Sequence, residues 1–450
     1  MTDQALRVAV IGSGPAGIYA AQALAAADGV GAVDVLDRLP APYGLVRYGV
    51  APDHLKIKST MRALQGVLEH PAVRFLGNVE LGRDVTVADL HDHYDAVIVA
   101  CGAAVDRRLG VPGEELPGSF SATEFVSWYS GHPDAEVDRF ALEATSVVVV
   151  GVGNVAVDVA RLLAKTAEEL RSTDLPDHVL DVLSASRVTD IHMLGRRGPA
   201  QATFTSKELT ELGELANADV IVDPAELVLD EASEAAMAAS PAVRRNVATL
   251  QQWAGREPAG RPRRLHLRFL TRPTALLGES RVEAVQVERT ALDGTGRAGG
   301  TGELSEIPAQ LVLRSVGYRG VPLPGLPFDE GSGTMPHEAG RVRNGGGPLP
   351  RTYVAGWIKR GPSGVIGTNK KDAVETVASL LADAPTLPRA PRRDPDAFPA
   401  LLRERGVDLV EWDGWRRIDE AEVELGREAG RDRVKIHERE QMLRLSRGDA

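Results

Sequence analysis

The sequence predicts an α/β fold built from two Rossmann-like dinucleotide-binding domains, one inserted into the other. Three observations support this. Two glycine-rich turns, Gly12-Ser13-Gly14-Pro15-Ala16-Gly17 and Gly151-Val152-Gly153-Asn154-Val155-Ala156, each follow a run of small β-branched residues. Each opens a segment with helical character. The strand-like segments downstream end in opposite charges, Asp37 after the first turn and Arg196-Arg197 after the second.

Val8-Ala9-Val10-Ile11 reads as a buried parallel strand, because an uninterrupted apolar run suits a strand covered on both faces. Glycine then allows a tight turn, close approach of backbone to a pyrophosphate and close packing of the next helix. The N–H groups at that helix start are suited to holding phosphates. Val33-Asp34-Val35-Leu36-Asp37 reads as the second strand, and Asp37 lies 20 residues beyond Gly17, where an acid bonds a ribose hydroxyl. An unphosphorylated ribose, as in FAD or NAD, fits there. Ala96-Val97-Ile98-Val99-Ala100 closes this block, and Cys101 behind it is expected to be small core filler.

The stretch 109–118, rich in glycine and proline, reads as a crossing between domains. In the second block, Val147-Val148-Val149-Val150 is the strand and residues 154–160 open the helix. The next strand, Asp190-Ile191-His192-Met193-Leu194, runs into Gly195-Arg196-Arg197-Gly198-Pro199. Two guanidinium forks stand where an acid would select a bare ribose, so NADP is preferred over NAD. As a lone feature the pair also reads as solvated loop charge; its place at a strand's carboxyl end favours the phosphate. The 40 residues from Ala156 to Arg196 are attributed to an extended first helix and an inserted helical segment restarting near Asp174.

Further on, residues 205–215 look helical, and 219–222, 265–270 and 282–288 look like strands. The glycine-rich 293–302 reads as a hairpin loop. Residues 310–317 read as a strand with which the chain returns to the first domain. A strand over 352–357 runs into the glycine-rich 358–369, which opens a helix over 371–383 and is again receptive to anions. A linker follows Pro388, then a helical appendage with Trp412 and Trp415 as anchors. The expected boundaries are 1–106 and 316–390 for the outer domain, 107–315 for the insert and 391–450 for the appendage.

Composition narrows the function classes. The chain has 450 residues, 43% of them hydrophobic, enough for two well-buried cores. No cleavable leader or apolar span is visible, so a cytoplasmic location without membrane attachment is expected. A net charge of −11 argues against general nucleic-acid binding. The single cysteine excludes an internal disulfide, a Cys-x-x-Cys pair and a four-thiolate cluster. One basic stretch, Arg244-Arg245, Arg256, Arg261, Arg263, Arg264, Arg268 and Arg272, reads either as a docking surface for an acidic partner or as solvated charge.

Taken together, the two turns, Tyr43-Gly44-Leu45-Val46-Arg47-Tyr48-Gly49-Val50-Ala51-Pro52-Asp53-His54, residues 195–199 and 356–369 resemble the adrenodoxin-reductase-type ferredoxin-NADP(+) reductases, over almost the whole chain and closest to bacterial cytosolic members. The resemblance implies FAD in the outer domain and NADP(H) in the insert. It carries FAD contacts to Ala16, Asp37, Leu45, Val85, Trp357 and Gly364-Val365-Ile366, beside Gly12, Gly14, Gly17 and Gly44 of the matching motifs. For NADP(H) it carries over Arg107, Asn154, Val155, Ala156, Val157, Arg196, Arg197, Glu208 and Gly364, beside Gly151 and Gly153. The family often has glutamate at the Asp37 position, so the shorter side chain leaves that ribose contact open.

Read independently, several of these residues keep two explanations. N–H groups near Gly364 and Val365 are suited to stabilising an anionic flavin, or only close the fold. Trp357 is a lid on flavin or nicotinamide, or an ordinary core aromatic. Glu208 accepts from a carboxamide, or forms a solvated face with Glu211. His54 assists proton traffic near the flavin, or is held by local hydrogen bonds.

The chemistry implied is hydride transfer from NADPH to FAD, followed by release of single electrons to an acidic iron-sulfur ferredoxin, with cytochrome P450 systems as a possible destination and a monomeric protein expected. No nucleophile or metal is required. Three rivals remain to be tested. A disulfide reductase lacks its cysteine pair. A flavin monooxygenase would couple oxygen consumption to a small product, and a redox sensor would hold FAD and NADP with negligible turnover.

Overall fold

The computed structural model describes residues 5–449, so residues 1–4, where the absence of a leader was read, lie outside the described residues. The chain divides into two compact units: residues through Val105 with Ser130–Asp134 and Gly317–Ala450, and Asp106–Tyr129 with Ala135–Val316.

The first unit is organised on a seven-stranded sheet in the order His337–Glu338, Arg341–Asn344, Gly347–Val354, Ala96–Val99, Leu6–Ile11, Val30–Asp37, Val73–Gly77. The five strands from Gly347–Val354 onward pair in parallel, and an antiparallel hairpin forms the other edge. Alternation splits the central strand between two cores. Val8 and Val10 pack in the cluster holding Ile18, Leu380, Trp415, Ile418 and Met442, whereas Ala9 and Ile11 pack in the cluster holding Phe398 and Leu402. The C-terminal helices Ala397–Glu404, Trp412–Glu428 and Arg439–Arg447 therefore contribute to the cores on both faces of the sheet. Truncating Phe398, fully buried there, would cost about 3–5 kcal/mol.

The stretch after Pro388, read as a linker, is tied down. Buried Asp95 accepts from the Ala390 N–H at 2.9 Å and from Arg393 at 2.7 Å, and Arg7 donates to the carbonyls of Arg393 and Asp394 at 2.8 Å. These bonds hold the Asp95 carboxyl below its ordinary range although burial alone would raise it.

The second unit has a six-stranded parallel sheet in the order Ser119–Ser121, Leu311–Arg314, Ser146–Val150, Asp190–Leu194, Arg263–Arg268, Ala218–Val222. Thr271–Leu277, Ala284–Leu292 and Ala298–Pro308 form a separate antiparallel sheet. It packs Leu276, Val285, Val287 and Ile307 against Val148, Val150, Leu194 and Val312.

Several sequence expectations are corrected here. The strand Leu311–Arg314 belongs to the second sheet, where its side chains enter both of that unit's cores, so the chain passes to the first unit at Gly317. The glycines of 293–302 are not all loop: Ala298–Pro308 begins among them, and a Cβ on Gly300 would lie 2.2 Å from the Glu288 carboxylate. Glycine there lets the Glu288–Arg272 ion pair lie against the strand. The helix that follows the second glycine turn, Asn154–Ala164, is not extended. Lys165 turns to extended backbone and Thr166 starts a new helix with a capping box to Glu169, so Ala167–Leu170 and Asp177–Ser184 fill the spacing to Arg196. Cys101 is exposed rather than core, because the strand ends at Val99 and the chain then turns at Gly102, whose φ is 78°. No helix among the described residues is long and apolar enough to cross a membrane.

Candidate functional site

Each unit builds one site at the carboxyl ends of its parallel strands. In the first, Gly12 adopts a φ of 108°, and a Cβ there would lie 2.5 Å from the carbonyl oxygen of Ala100. A Cβ on Gly17 would lie 1.8 Å from the carbonyl oxygen of Gly12, so the helix Pro15–Ala25 begins directly against the turn. No side chain caps that helix, and nothing lies within 4 Å of the position of a Cβ on Gly14. Uncapped N–H groups facing open space fit a bound pyrophosphate.

Asp37 closes the strand Val30–Asp37 and folds back on the turn. Its Oδ2 accepts from the N–H of Ser13 at 2.9 Å and from Ser13 Oγ at 2.5 Å, and its Oδ1 accepts from the N–H of Leu39 at 2.9 Å. A carboxylate has about four acceptor positions, so capacity for one ribose hydroxyl remains. Ser13 was not singled out from sequence, although it stands inside the fingerprint.

The loop bearing Gly44 and Leu45 lies over this turn. The N–H of Tyr43 donates to the carbonyl of Ser13 at 3.0 Å, and a Cβ on Gly44, whose φ is 50°, would stand 3.0 Å from the Cα of Gly14. Leu45 is exposed, whereas Val46, Arg47 and Tyr48 are buried. Arg47 donates to Glu422 through both terminal nitrogens, at 2.9 and 2.5 Å, with exposures of 1% and 0% for the two side chains. Its guanidinium also lies over the rings of Tyr48 and Trp415. Glu422 accepts further from Arg433 at 3.1 Å and from the N–H of Ile436 at 2.9 Å. Burial opposes charge on both partners, but the pairing holds Arg47 well above and Glu422 below its ordinary pKa. Nothing in the sequence links these residues.

Other expected residues of the first unit fall as follows. Val85 is buried among Leu81, Leu90 and Ile11, so its side chain is core. His54 is buried. Gly356, with a φ of 80°, approaches Ala16 so closely that a Cβ would stand 2.6 Å from the Ala16 Cβ. That contact sets Trp357, the next residue, beside the start of the first helix. Trp357 is half-buried, its ring centre lies 5.4 Å from that of Tyr318, and its Nε1 donates to the Ser363 carbonyl at 3.2 Å. The N–H of Val365, expected to point at an anionic flavin, donates to Thr368 Oγ1 at 3.1 Å. Gly364 has a φ of 80°, and Ile366 packs against the core.

In the second unit Gly151, with a φ of 140°, would bring a Cβ to 2.2 Å from the carbonyl oxygen of Ser315. Gly153 precedes the helix Asn154–Ala164, which no side chain caps. Val155 packs against the core, and the Ala156 and Val157 side chains are fully buried in it. Asn154 Oδ1 accepts from the N–H of Thr205 at 2.8 Å, holding the start of the helix Ser206–Gly213.

That helix carries Glu208 and Glu211, and its exposed-face reading is corrected. Buried Arg161 approaches Asp158 at 2.8 Å, Glu211 at 3.2 Å and Glu208 at 3.6 Å. A buried guanidinium needs such partners, and Asp158 with the two glutamates supplies them.

Arg196 is exposed and Arg197 half-buried. Their backbone is fixed: Thr290 Oγ1 donates to the Arg196 carbonyl at 2.8 Å and the Leu270 N–H to the Arg197 carbonyl at 3.1 Å. Neither guanidinium meets an acid among the described residues; Arg197 makes only a 3.4 Å contact to the Gln201 carbonyl. Arg107 is exposed and likewise unpaired among them. Two held but unneutralised cations at the end of a parallel strand fit a phosphate dianion.

The basic stretch is mostly engaged internally. Arg264, Arg268 and Arg272 pair with Asp190, Glu226 and Glu288, and Arg261 and Arg263 donate to backbone carbonyls. Arg244 and Arg245 remain exposed.

The profile of the family described as pyridine nucleotide-disulphide oxidoreductase matches residues 6–198. The chain is 46% identical over 458 residues to the NADPH-ferredoxin reductase FprA of Mycobacterium tuberculosis, covering 98% of this chain and 99% of that one. It is 39% identical over 458 residues to the mitochondrial NADPH:adrenodoxin oxidoreductase of Bos taurus, covering 98% and 92%. The solved structure of M. tuberculosis FprA in complex with NADPH superimposes with a TM-score of 0.92 at 45% identity, covering 99% of this chain and 100% of that one.

Proposed function

The chain belongs to the NADPH-ferredoxin and adrenodoxin reductase family, and from that premise we propose which of its residues move electrons from NADPH through flavin to ferredoxin. It is an oxidoreductase using FAD and NADP(H), with two Rossmann-like units. Bound FAD supplies the conversion of a hydride's electron pair into single electrons, which an iron-sulfur acceptor takes one at a time.

FAD belongs to the first unit. The uncapped start of the helix Pro15–Ala25 holds its pyrophosphate, and Asp37, oriented by Ser13, takes one ribose hydroxyl. Leu45 gives apolar cover, and Trp357, set by the Gly356–Ala16 contact, excludes water from the ring system. The Gly364–Ile366 turn would add contacts to the flavin.

NADP(H) belongs to the second unit. The start of the helix Asn154–Ala164 holds its pyrophosphate, and Arg196 with Arg197 clamps the 2′-phosphate, with Arg107 adding charge. Glu208, which lies 3.6 Å from Arg161, acts on the nicotinamide side, and Glu211 helps hold Arg161. His54 serves proton traffic.

The observation that supports this most directly is the unneutralised pair Arg196 and Arg197 at the end of Asp190–Leu194. We further propose strict FAD dependence, a monomeric cytoplasmic protein and an acidic ferredoxin that meets Arg244 and Arg245 and supplies cytochrome P450 systems. Stopped-flow mixing of the oxidised protein with NADPH and with NADH, followed by ferredoxin-coupled cytochrome c reduction, tests the assignment. Fast reduction by NADPH and slow reduction by NADH at equal concentration is expected. Equal rates, or no ferredoxin-dependent reduction, would overturn it.

A further inference from the structure

On the strand Asp190–Leu194, Asp190 and His192 face the same side of the sheet. On the neighbouring strand Arg263–Arg268, His266 is the parallel register partner of His192 and Arg264 that of Asp190. One ligand atom from each of Asp190, His192 and His266 lies within 4.8 Å of the other two. The imidazole rings stack, their centres 4.4 Å apart and their planes 10° from parallel. His266 Nε2 is 3.2 Å from Asp190 Oδ1, whereas His192 Nδ1 is buried without a hydrogen-bond partner among the described residues.

An orphaned buried ring nitrogen costs about 1–3 kcal/mol, and such an atom calls for a ligand or water. Two imidazoles and one carboxylate on adjacent parallel strands are the donor set of a borderline divalent ion, and not of calcium or magnesium, which take oxygen. We propose that Asp190, His192 and His266 bind one divalent transition-metal ion of the zinc, copper or nickel class, on the paired strands Asp190–Leu194 and Arg263–Arg268 of the second unit.

Donor atoms about 2.0–2.2 Å from a tetrahedral ion stand roughly 3.4 Å from one another, so the three side chains close inward by rotation about their side-chain bonds. Asp190 now accepts from Arg264 Nε at 2.7 Å, from Arg264 Nη2 at 2.5 Å and from Thr189 Oγ1 at 2.9 Å. The Arg264 side chain is 55% exposed, and a surface ion pair of that kind holds by only about 0–1 kcal/mol. The ion replaces Arg264 as the counter-charge, and Arg264 swings into solvent. Of the other two cations on that strand, Arg268 is occupied by Glu226 at 2.7 Å and Arg263 donates to the Leu163 and Lys165 carbonyls. Water fills the fourth position. The ion joins two neighbouring strands of the parallel sheet and stabilises the second unit by mass action.

The test uses flavin-loaded full-length protein dialysed against a chelator. Calorimetric titration with zinc sulfate is expected to give one equivalent with a dissociation constant of about micromolar order, weakened about tenfold or more in His192→Asn and His266→Asn. Copper(II) electron paramagnetic resonance should show nitrogen coupling from two imidazoles in the wild type and one in each variant. Flavin absorbance and NADPH–ferricyanide turnover, unchanged in both variants, report an intact fold. Zinc binding no tighter than millimolar in the wild type, or equal affinity in wild type and His192→Asn, would overturn the proposal.

Discussion

At the first glycine turn the nearby charged groups find partners inside the protein, Asp37 hydrogen-bonded by Ser13 and Arg47 paired with Glu422, while at the second Arg196 and Arg197 have no acidic partner among the described residues. The backbones are otherwise alike: each has a positive-φ glycine against a neighbouring carbonyl and an uncapped helix start. A turn covered by a loop that is locked from behind suits a group that stays, and its surroundings already satisfy one another. A turn flanked by cations with no acidic partner among the described residues suits a dianion that comes and goes, because the ligand supplies the missing counter-charge on each visit. The same fingerprint thus serves retention or exchange according to what packs around it.

The largest expected effect is on the locked side. Glu422→Ala leaves Arg47 buried without its partner, which costs about 3–5 kcal/mol. Flavin retention and melting temperature should fall together, with less damage in Glu422→Gln, which keeps a hydrogen-bond acceptor. Full flavin content in Glu422→Ala would break the contrast between the turns.

Acid should loosen the same region. His132 lies against Tyr48, with ring centres 4.9 Å apart, and its pKa is lowered to about 4 by burial, with Arg38, Arg439 and Arg47 adding to the effect and Asp134 opposing it. The unfolded chain titrates near 6.5, so above that pH this group costs nothing. As pH falls from about 6.5 to about 4 the unfolded state takes the proton first, and up to about 3 kcal/mol of stability is lost. Glu422, held below its ordinary pKa, adds loss of the same sign at lower pH. Melting curves between pH 7 and 4 should show this decline, shallower in His132→Gln; identical slopes would remove His132 from the account.

On the exchanging side, Arg196→Ala with Arg197→Ala should raise the KM for NADPH about 10- to 100-fold, at about 1 kcal/mol for each solvent-screened guanidinium, while KM for NADH and flavin content barely move. A parallel rise for both nucleotides would end the phosphate-clamp assignment. The smallest effect is expected from Ser13→Ala, which removes one of the two bonds from Ser13 to Asp37, at about 1 kcal/mol. Faster flavin loss in dialysis, with unchanged NADPH affinity, would sharpen the comparison.

Much of the fold was legible because parallel strands covered on both faces must be apolar throughout, and because a turn at a strand end needs glycine where a Cβ would meet a carbonyl. Gly12, Gly151, the strand Ser146–Val150 and the charges at Asp37 and Arg196 all follow from such local requirements. The misreadings share a cause: a short apolar segment such as Leu311–Arg314 does not say which sheet it joins, and Cys101 sits one residue past the point where burial ends.

By itself, then, the sequence determined the two nucleotide units and the sign of the charge closing each, since strand pattern, turn chemistry and strand-end residues are all neighbours along the chain. Only the tertiary structure decided that Glu422 locks a loop 375 residues away, that Arg161 gathers Glu208 and Glu211, and that His192 faces His266 across a strand pair. Those pairings depend on the order in which strands and helices pack, and a desolvated charge or ring nitrogen finds its partner through space, wherever along the chain that partner lies.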